Sequence, residues 1–245
     1  MRHELVSNPP WVTKVLGDAY DDIQRAVTLH PSWVPRLSDV QPSGGASVRG
    51  QMIEYGCGAY GCVLPTLDPT VVIKVTTDDT EAEFAGGLAN SLVRPICVKY
   101  LAILESDVKH EGRNVTILWR ESANYVGDLE GFLQDQRRDR DVDFAYDLIE
   151  EQHRAAQMAY ALIYHGKPRP EQLAAVSGWL AACEKMARQT RVPELRSLGD
   201  GMVEVYAAQG VVFGDIHTGN IGQVIRGDGP QWVITDPGHI AVILE

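Results

Sequence analysis

Apolar residues recur at helical spacing between Val12 and Leu29, where Val12, Val15, Leu16, Tyr20, Ile23 and Val27 mark one face and predict a helix. Pro31 and Pro35 interrupt the pattern, and the stretch from Gln41 to Ser47 reads as a linker. From Gly50 to Glu121 the apolar runs become short. Met52 to Tyr55, Cys62 to Leu64, Val71 to Val75, Val98 to Leu104 and Val115 to Trp119 are β-prone, bounded by Gly, Pro or Asp, and predict strands. One helix is expected among them, Thr80 to Leu92, with Thr80 as its N-cap and Glu83 reaching back in a capping box. Helical spacing then returns in Phe144 to Tyr164, Glu171 to Arg188 and Glu194 to Ala208, the last ended by Gln209-Gly210. Two more strands are expected, Ile221 to Ile225 and Gln231 to Thr235.

This pattern divides the chain into a helical extension with linker (1–48), a strand-rich lobe (49–121) and a mainly helical lobe (122–245), an α+β arrangement. A hydrophobic share of 44% with 22% charged residues excludes disordered, collagen-like and coiled-coil classes. The balance of 33 acidic against 22 basic side chains, net −11, argues against a nucleic-acid partner, because such binding neutralises phosphates with Lys and Arg. No apolar run approaches the roughly 18 residues of a membrane span, and the first residues lack the apolar stretch of a secretory signal. Cys57, Cys62, Cys97 and Cys183 show neither a Cys-x-x-Cys pair nor a recurrent spacing. Neither a zinc finger nor a disulfide framework is expected, and the reading is a reduced, cytoplasmic protein with no membrane partner.

Three segments carry candidate chemistry. Gly56-Cys57-Gly58-Ala59-Tyr60-Gly61-Cys62-Val63 is a G-x-G-x-x-G-x-V loop with β-prone text on both sides. A dinucleotide fingerprint runs into a helix; here a second strand follows, which places the loop at a hairpin tip, where glycines let backbone approach phosphates. Alone it also reads as an ordinary glycine-rich bend. Next, Lys74 stands in the apolar strand Val71-Val72-Ile73-Lys74-Val75, where its ammonium needs an anion. Either a nucleotide phosphate or a helix glutamate meets that need; Glu83 is the expected glutamate, since Glu81 stands in the first helical turn and suits the helix dipole.

The third segment is Phe213-Gly214-Asp215-Ile216-His217-Thr218-Gly219-Asn220, followed sixteen residues after Asn220 by Asp236-Pro237-Gly238. Asp and Asn five apart, then an Asp after a hairpin, resemble the kinase catalytic loop and its D-F-G segment, which implies a catalytic base followed by two magnesium ligands. Each piece has an ordinary alternative as an Asx-rich or β-turn. Asp215, His217, Asp236 and His239 together also offer imidazole and carboxylate to a transition metal, but that reading leaves Lys74 and the glycine loop unexplained.

Taken in order, these motifs resemble the protein-kinase-like superfamily over about Gln51 to Gly238, and in pattern the compact protein kinases of bacteriophages and their small bacterial relatives. The resemblance implies a two-lobed kinase-like fold, with a small β-rich N-lobe, a truncated helical C-lobe and ATP with magnesium in the cleft. It implies that Gly56, Gly58, Gly61 and Val63 cover the phosphates, that Lys74 pairs with them and that Glu83 holds Lys74. Asp215 becomes the catalytic base and Asn220 and Asp236 the metal ligands; Leu118 to Glu121, including Trp119 and Glu121, becomes the hinge that meets adenine through its backbone. The implied substrate is a protein Ser or Thr, in host proteins and host cytoplasm if the chain is phage-encoded. His217 is implied to be structural, bonding backbone near the second carboxylate.

The departures are informative. Phe213 and Gly214 replace the His and Arg of H-R-D, and Pro237 replaces the Phe of D-F-G. Only nine residues follow Asp236, with no A-P-E segment, so residues 127–190 are expected to form most of the helical lobe. The Asp-x-His-x-Gly-Asn loop is also that of aminoglycoside- and choline-type small-molecule kinases. A pseudokinase binding module and an AMP transferase share the same residues.

Overall fold

A computed structural model describes residues 10–35, 47–48, 51–52, 56–57, 61–123, 139–227 and 229–243. The chain is mixed α+β, with two compact units, residues 1–89 with 99–125 and residues 90–98 with 126–245.

In the first unit the N-terminal apolar stripe forms α1 (Pro10–Asp18) and α2 (Tyr20–Ala26). The single expected helix is interrupted at Ala19, although the Ala19 and Ile23 N–H groups still donate to Val15 and Ala19 carbonyls. Val12, Val15, Leu16, Ala19, Ile23 and Val27 are buried, whereas Tyr20 faces solvent; Ala19 takes the place expected for Tyr20. These side chains share one core with Cys62, Leu64, Val71, Ile73, Val75, Val115, Ile117 and Trp119.

That core lies on a five-stranded antiparallel sheet of β3 (Gly56–Cys57), β4 (Gly61–Pro65), β5 (Val71–Thr76), β6 (Tyr100–His110) and β7 (Arg113–Glu121), in the order β3-β4-β5-β7-β6. A separate antiparallel pair, β1 (Ser47–Val48) and β2 (Gln51–Met52), precedes it; most of the expected strand Met52 to Tyr55 lies outside the described residues. β5 is buried along its whole length, matching its unbroken apolar sequence. β6 starts at Tyr100 and runs six residues past the expected end, because its alternation continues in polar text: Glu105, Asp107 and Lys109 face water while Ser106, Val108 and His110 turn partly inward. Charges of this kind suit an edge strand, since they discourage further pairing. A two-residue turn, Glu111 (φ 50) and Gly112 (φ 81), joins β6 to β7; two positive φ angles are the mark of a type I′ hairpin.

Between β5 and β6 lies α3 (Asp79–Gly86). Its cap is Asp78, not Thr80: the Asp78 carboxylate accepts from the N–H groups of Thr80 and Glu81. The helix ends at Gly86 rather than Leu92, and a 3-10 turn, Ala89–Ser91, follows.

The second unit packs α4 (Asp139–Tyr164) on α5 (Arg169–Gln189), and α5 on α6 (Pro193–Gln209). α6 stops at Gly210, which takes the left-handed φ of 67° while a Cβ there would meet the Ile243 carbonyl oxygen at 2.3 Å. After it come β8 (Val211–Phe213), β9 (Ile221–Arg226), β10 (Gly229–Ile234) and β11 (Ile240–Val242). β9 and β10 form the expected hairpin. β8 pairs with β11, a pairing the sequence reading does not include. α4 packs on both β8 and β11. Among the described residues no helix is long and apolar enough to cross a membrane.

Candidate functional site

In the first unit, β3 and β4 pair antiparallel, Gly56 opposite Val63 and Cys57 opposite Cys62, so the glycine motif does sit on a hairpin. Gly58 lies outside the described residues. Gly61 presses against β5, where a Cβ would stand 2.3 Å from the Val75 carbonyl oxygen. Val63 is directly opposite Lys74. Cys57 and Cys62, expected to be reduced, are joined by a disulfide with Cα atoms 4.0 Å apart. Their spacing of five gives no Cys-x-x-Cys signal; only the register places them face to face.

Lys74 is buried, and its Nζ lies 2.7 Å from Glu81 Oε2. The Tyr100 hydroxyl donates to Glu81 Oε1 at 3.1 Å. This corrects the expected partner: Glu83 is exposed, while Glu81, two residues nearer the start of α3 and on its opposite face, turns into the core. Capping by Asp78 leaves the Glu81 carboxylate available for Lys74.

The expected hinge residues stand at the end of the sheet's fourth strand. β7 runs to Glu121, two residues beyond the expected end, so Trp119 is flanked by Ile73 of β5 and Ala102 of β6. Its side chain is fully buried, and its Nε1–H donates to the Trp33 carbonyl at 2.9 Å. The Glu121 N–H donates to the Lys99 carbonyl at 2.9 Å, and the Glu121 carboxylate accepts from the Lys99 N–H at 3.0 Å. Strand pairing thus holds Trp119, and the bonds with Lys99 hold Glu121.

In the second unit, β8 delivers Asp215 at its end and β9 begins just after Asn220. The Asn220 Nδ2 donates to the Asp215 carbonyl at 2.8 Å and lies 3.4 Å from Asp215 Oδ2, which leaves the amide oxygen as the acceptor end. The Thr235 N–H donates to the Asn220 carbonyl at 2.9 Å, so the backbone brings half-buried Asp236 beside Asn220. One amide and one carboxylate suit magnesium, which keeps waters and substrate phosphates as its other ligands. Among the described residues no three His, Cys, Asp or Glu side chains gather to hold a metal ion, so the alternative set of Asp215, His217, Asp236 and His239 does not assemble. His217 caps the 3-10 turn Thr218–Asn220, its Nδ1 accepting from the Gly219 N–H at 3.0 Å.

Gly214 lies where a Cβ would be 2.6 Å from the His239 carbonyl oxygen and 2.9 Å from Tyr160 Cβ, which explains why no arginine precedes Asp215. His153, on α4, is a neighbour the sequence reading missed. Its Nδ1 stands 3.9 Å from Asp215 Oδ1, and its ring meets His217 edge-on at 5.5 Å between centroids. Burial holds its pKa below the ordinary value, with the Asp215 charge opposing. Within one sequence nothing marks a histidine more than sixty residues upstream as its neighbour.

No protein-family model matches the chain, and no curated protein sequence matches it.

Proposed function

We propose that the chain is an ATP- and magnesium-dependent phosphotransferase, a minimal Ser/Thr protein kinase of phage-like type that modifies host proteins. The observation that carries this reading is the buried Lys74–Glu81 pair, from the third strand of the sheet to the helix that follows it. That strand-lysine to helix-glutamate pair is a required part of protein-kinase sites. The same reading includes a two-lobed kinase-like fold. It is supported by a five-stranded sheet with one helix inserted before β6, and by a second unit rich in helices.

Lys74, held by Glu81, neutralises phosphate charge, and the glycine hairpin lets backbone approach it. Asp215 orients the acceptor hydroxyl and takes its proton as the hydroxyl oxygen bonds to the γ-phosphorus and the β,γ-bridging P–O bond breaks. Asn220 and Asp236 hold magnesium, which when bound supplies charge neutralisation on the phosphates. Gly214 stands where an arginine would pair with a phosphorylated loop, so on this reading activity does not depend on such a modification.

His217 favours a second reading, a small-molecule kinase, because the loop it caps has the Asp-x-His-x-Gly-Asn form. Purified protein with γ-labelled ATP, magnesium and bacterial lysate, beside Asp215→Asn and Lys74→Ala, tests both. Label entering protein only with wild type is the expected result. Label in small molecules alone shifts the acceptor class, and full transfer by either variant removes that residue from the mechanism.

A further inference from the structure

We propose that the Cys57–Cys62 disulfide is a redox modification site that fixes the register of the glycine hairpin and thereby sets nucleotide affinity. Its effect on nucleotide rests on the phosphotransferase reading; the redox site itself does not. Among the described residues β3 is two residues long, stands at the edge of the sheet and meets β4 in two register pairs. Short glycine-bearing edge strands are weakly specified and slip. β4 is anchored on its other side by five register pairs to β5, and Gly61 is pressed against the Val75 carbonyl. The disulfide thus ties a weak strand to a strong one beside both described glycines of the motif. A Cα separation of 4.0 Å marks Cys57/Cys62 as a non-hydrogen-bonded pair, so the adjacent Gly56/Val63 pair exchanges the ladder bonds.

The two sulfurs differ in access. Cys62 is 1% exposed, whereas Cys57 is half-buried. Attack by a thiolate therefore falls on Cys57 Sγ. With a dithiol as reductant, the attacking sulfur bonds to Cys57 Sγ, the Cys57–Cys62 bond breaks, and Cys62 leaves as thiolate and takes a proton. The second thiol of the reductant then displaces Cys57, which takes a second proton, while the dithiol becomes a disulfide and has given two electrons. A disulfide oxidant of the glutathione class reverses the exchange. The free Cys97 and Cys183 do not compete, since both are buried and burial pushes their thiols far above the ordinary pKa. In a reducing compartment a disulfide of this kind is a sensor rather than a staple.

The test takes the full-length protein in oxidised glutathione and in excess dithiol, with alkylation mapped by mass spectrometry. Hydrogen exchange is followed at Val63, and affinity is measured with a fluorescent ATP analogue. Expected are alkylation of Cys57 and Cys62 only after dithiol, faster exchange at Val63 with Val71–Thr76 still protected, and roughly tenfold weaker nucleotide binding as the competent register loses population. The Cys57→Ser/Cys62→Ser double variant stays in the weak form under both conditions. Alkylation without reductant, or equal Val63 exchange in both states, overturns the redox site. Equal affinity across a real exchange difference overturns its link to nucleotide. Binding of the analogue to neither state sinks the phosphotransferase reading instead, and the exchange difference still supports the redox site.

Discussion

The Lys74 ammonium and the Glu81 carboxylate meet at 2.7 Å with side-chain exposures of 6% and 0%. A buried pair is costly to break from one side, because the remaining charge stays out of water and has lost its opposite charge. Glu81→Ala is therefore expected to lose about 3–5 kcal/mol of stability in urea unfolding. The joint replacement Lys74→Met with Glu81→Leu should cost much less, since no unpaired charge remains. Glu83→Ala, on the exposed side of α3, stays within about 0.5 kcal/mol. A large loss at Glu83 and none at Glu81 would reverse the assignment.

What the sequence made legible follows from how local each signal is. The apolar run at Val71 to Val75 and the stripes of α4, α5 and α6 were readable because burial repeats at the period of the element. β6 was cut short at Leu104 because its outer half alternates polar residues, which hydrophobicity alone does not register. Glu83 is the expected partner because a first-turn glutamate suits the helix dipole, yet Glu81 does stand in that turn and still reaches inward to Lys74, a direction that only packing sets. His153 beside Asp215, Cys57 beside Cys62 and Trp33 beneath Trp119 are tertiary facts, set by packing and register rather than by spacing.

Gly214→Ala tests why the arginine position is empty. The added methyl meets the His239 carbonyl oxygen at 2.6 Å and Tyr160 Cβ at 2.9 Å, so β8 or α4 must shift. Overpacking of this kind costs about 1–3 kcal/mol. Because Asp215 is the next residue, label transfer should fall more than the lost folded fraction accounts for. A thermal midpoint equal to wild type would mean that the site relaxes freely.

The N-terminal helices are a cover for the sheet, not an appendage. α1 and α2 pack on β6, the 3-10 turn Pro31–Trp33 packs on β5, and Trp119 Nε1–H donates to the Trp33 carbonyl. Losing that hydrogen bond in Trp119→Phe is expected to cost about 1 kcal/mol. Removing residues 1–35 takes five fully buried Val, Leu and Ile side chains from the core, Val12, Val15, Leu16, Ile23 and Val27. At about 1.5–3 kcal/mol each, that loss matches the whole stability of an ordinary domain. The truncated chain should lose cooperative unfolding and associate on size exclusion; a monomer with a sharp transition would make the helices dispensable.

His153 gives the second unit a defined response to acid. Its pKa is held below the ordinary 6.5 chiefly by burial, with Asp215 and Glu150 opposing and His217 and His239 adding to the depression. As pH falls through 6.5, the unfolded chain binds a proton at this position that the folded chain still refuses, so stability declines. The decline ends at the lower folded midpoint, below which both states are charged. Urea unfolding at about pH 7.5 and about pH 5.5 should show a smaller acid loss for His153→Gln than for wild type. In Asp215→Asn the main opposing charge is gone, so the His153 imidazole should titrate lower still by NMR and the acid-sensitive window should widen. Identical pH dependence in wild type and His153→Gln would place the acid sensitivity elsewhere. An unmoved imidazole midpoint in Asp215→Asn would break the coupling between His153 and the candidate base.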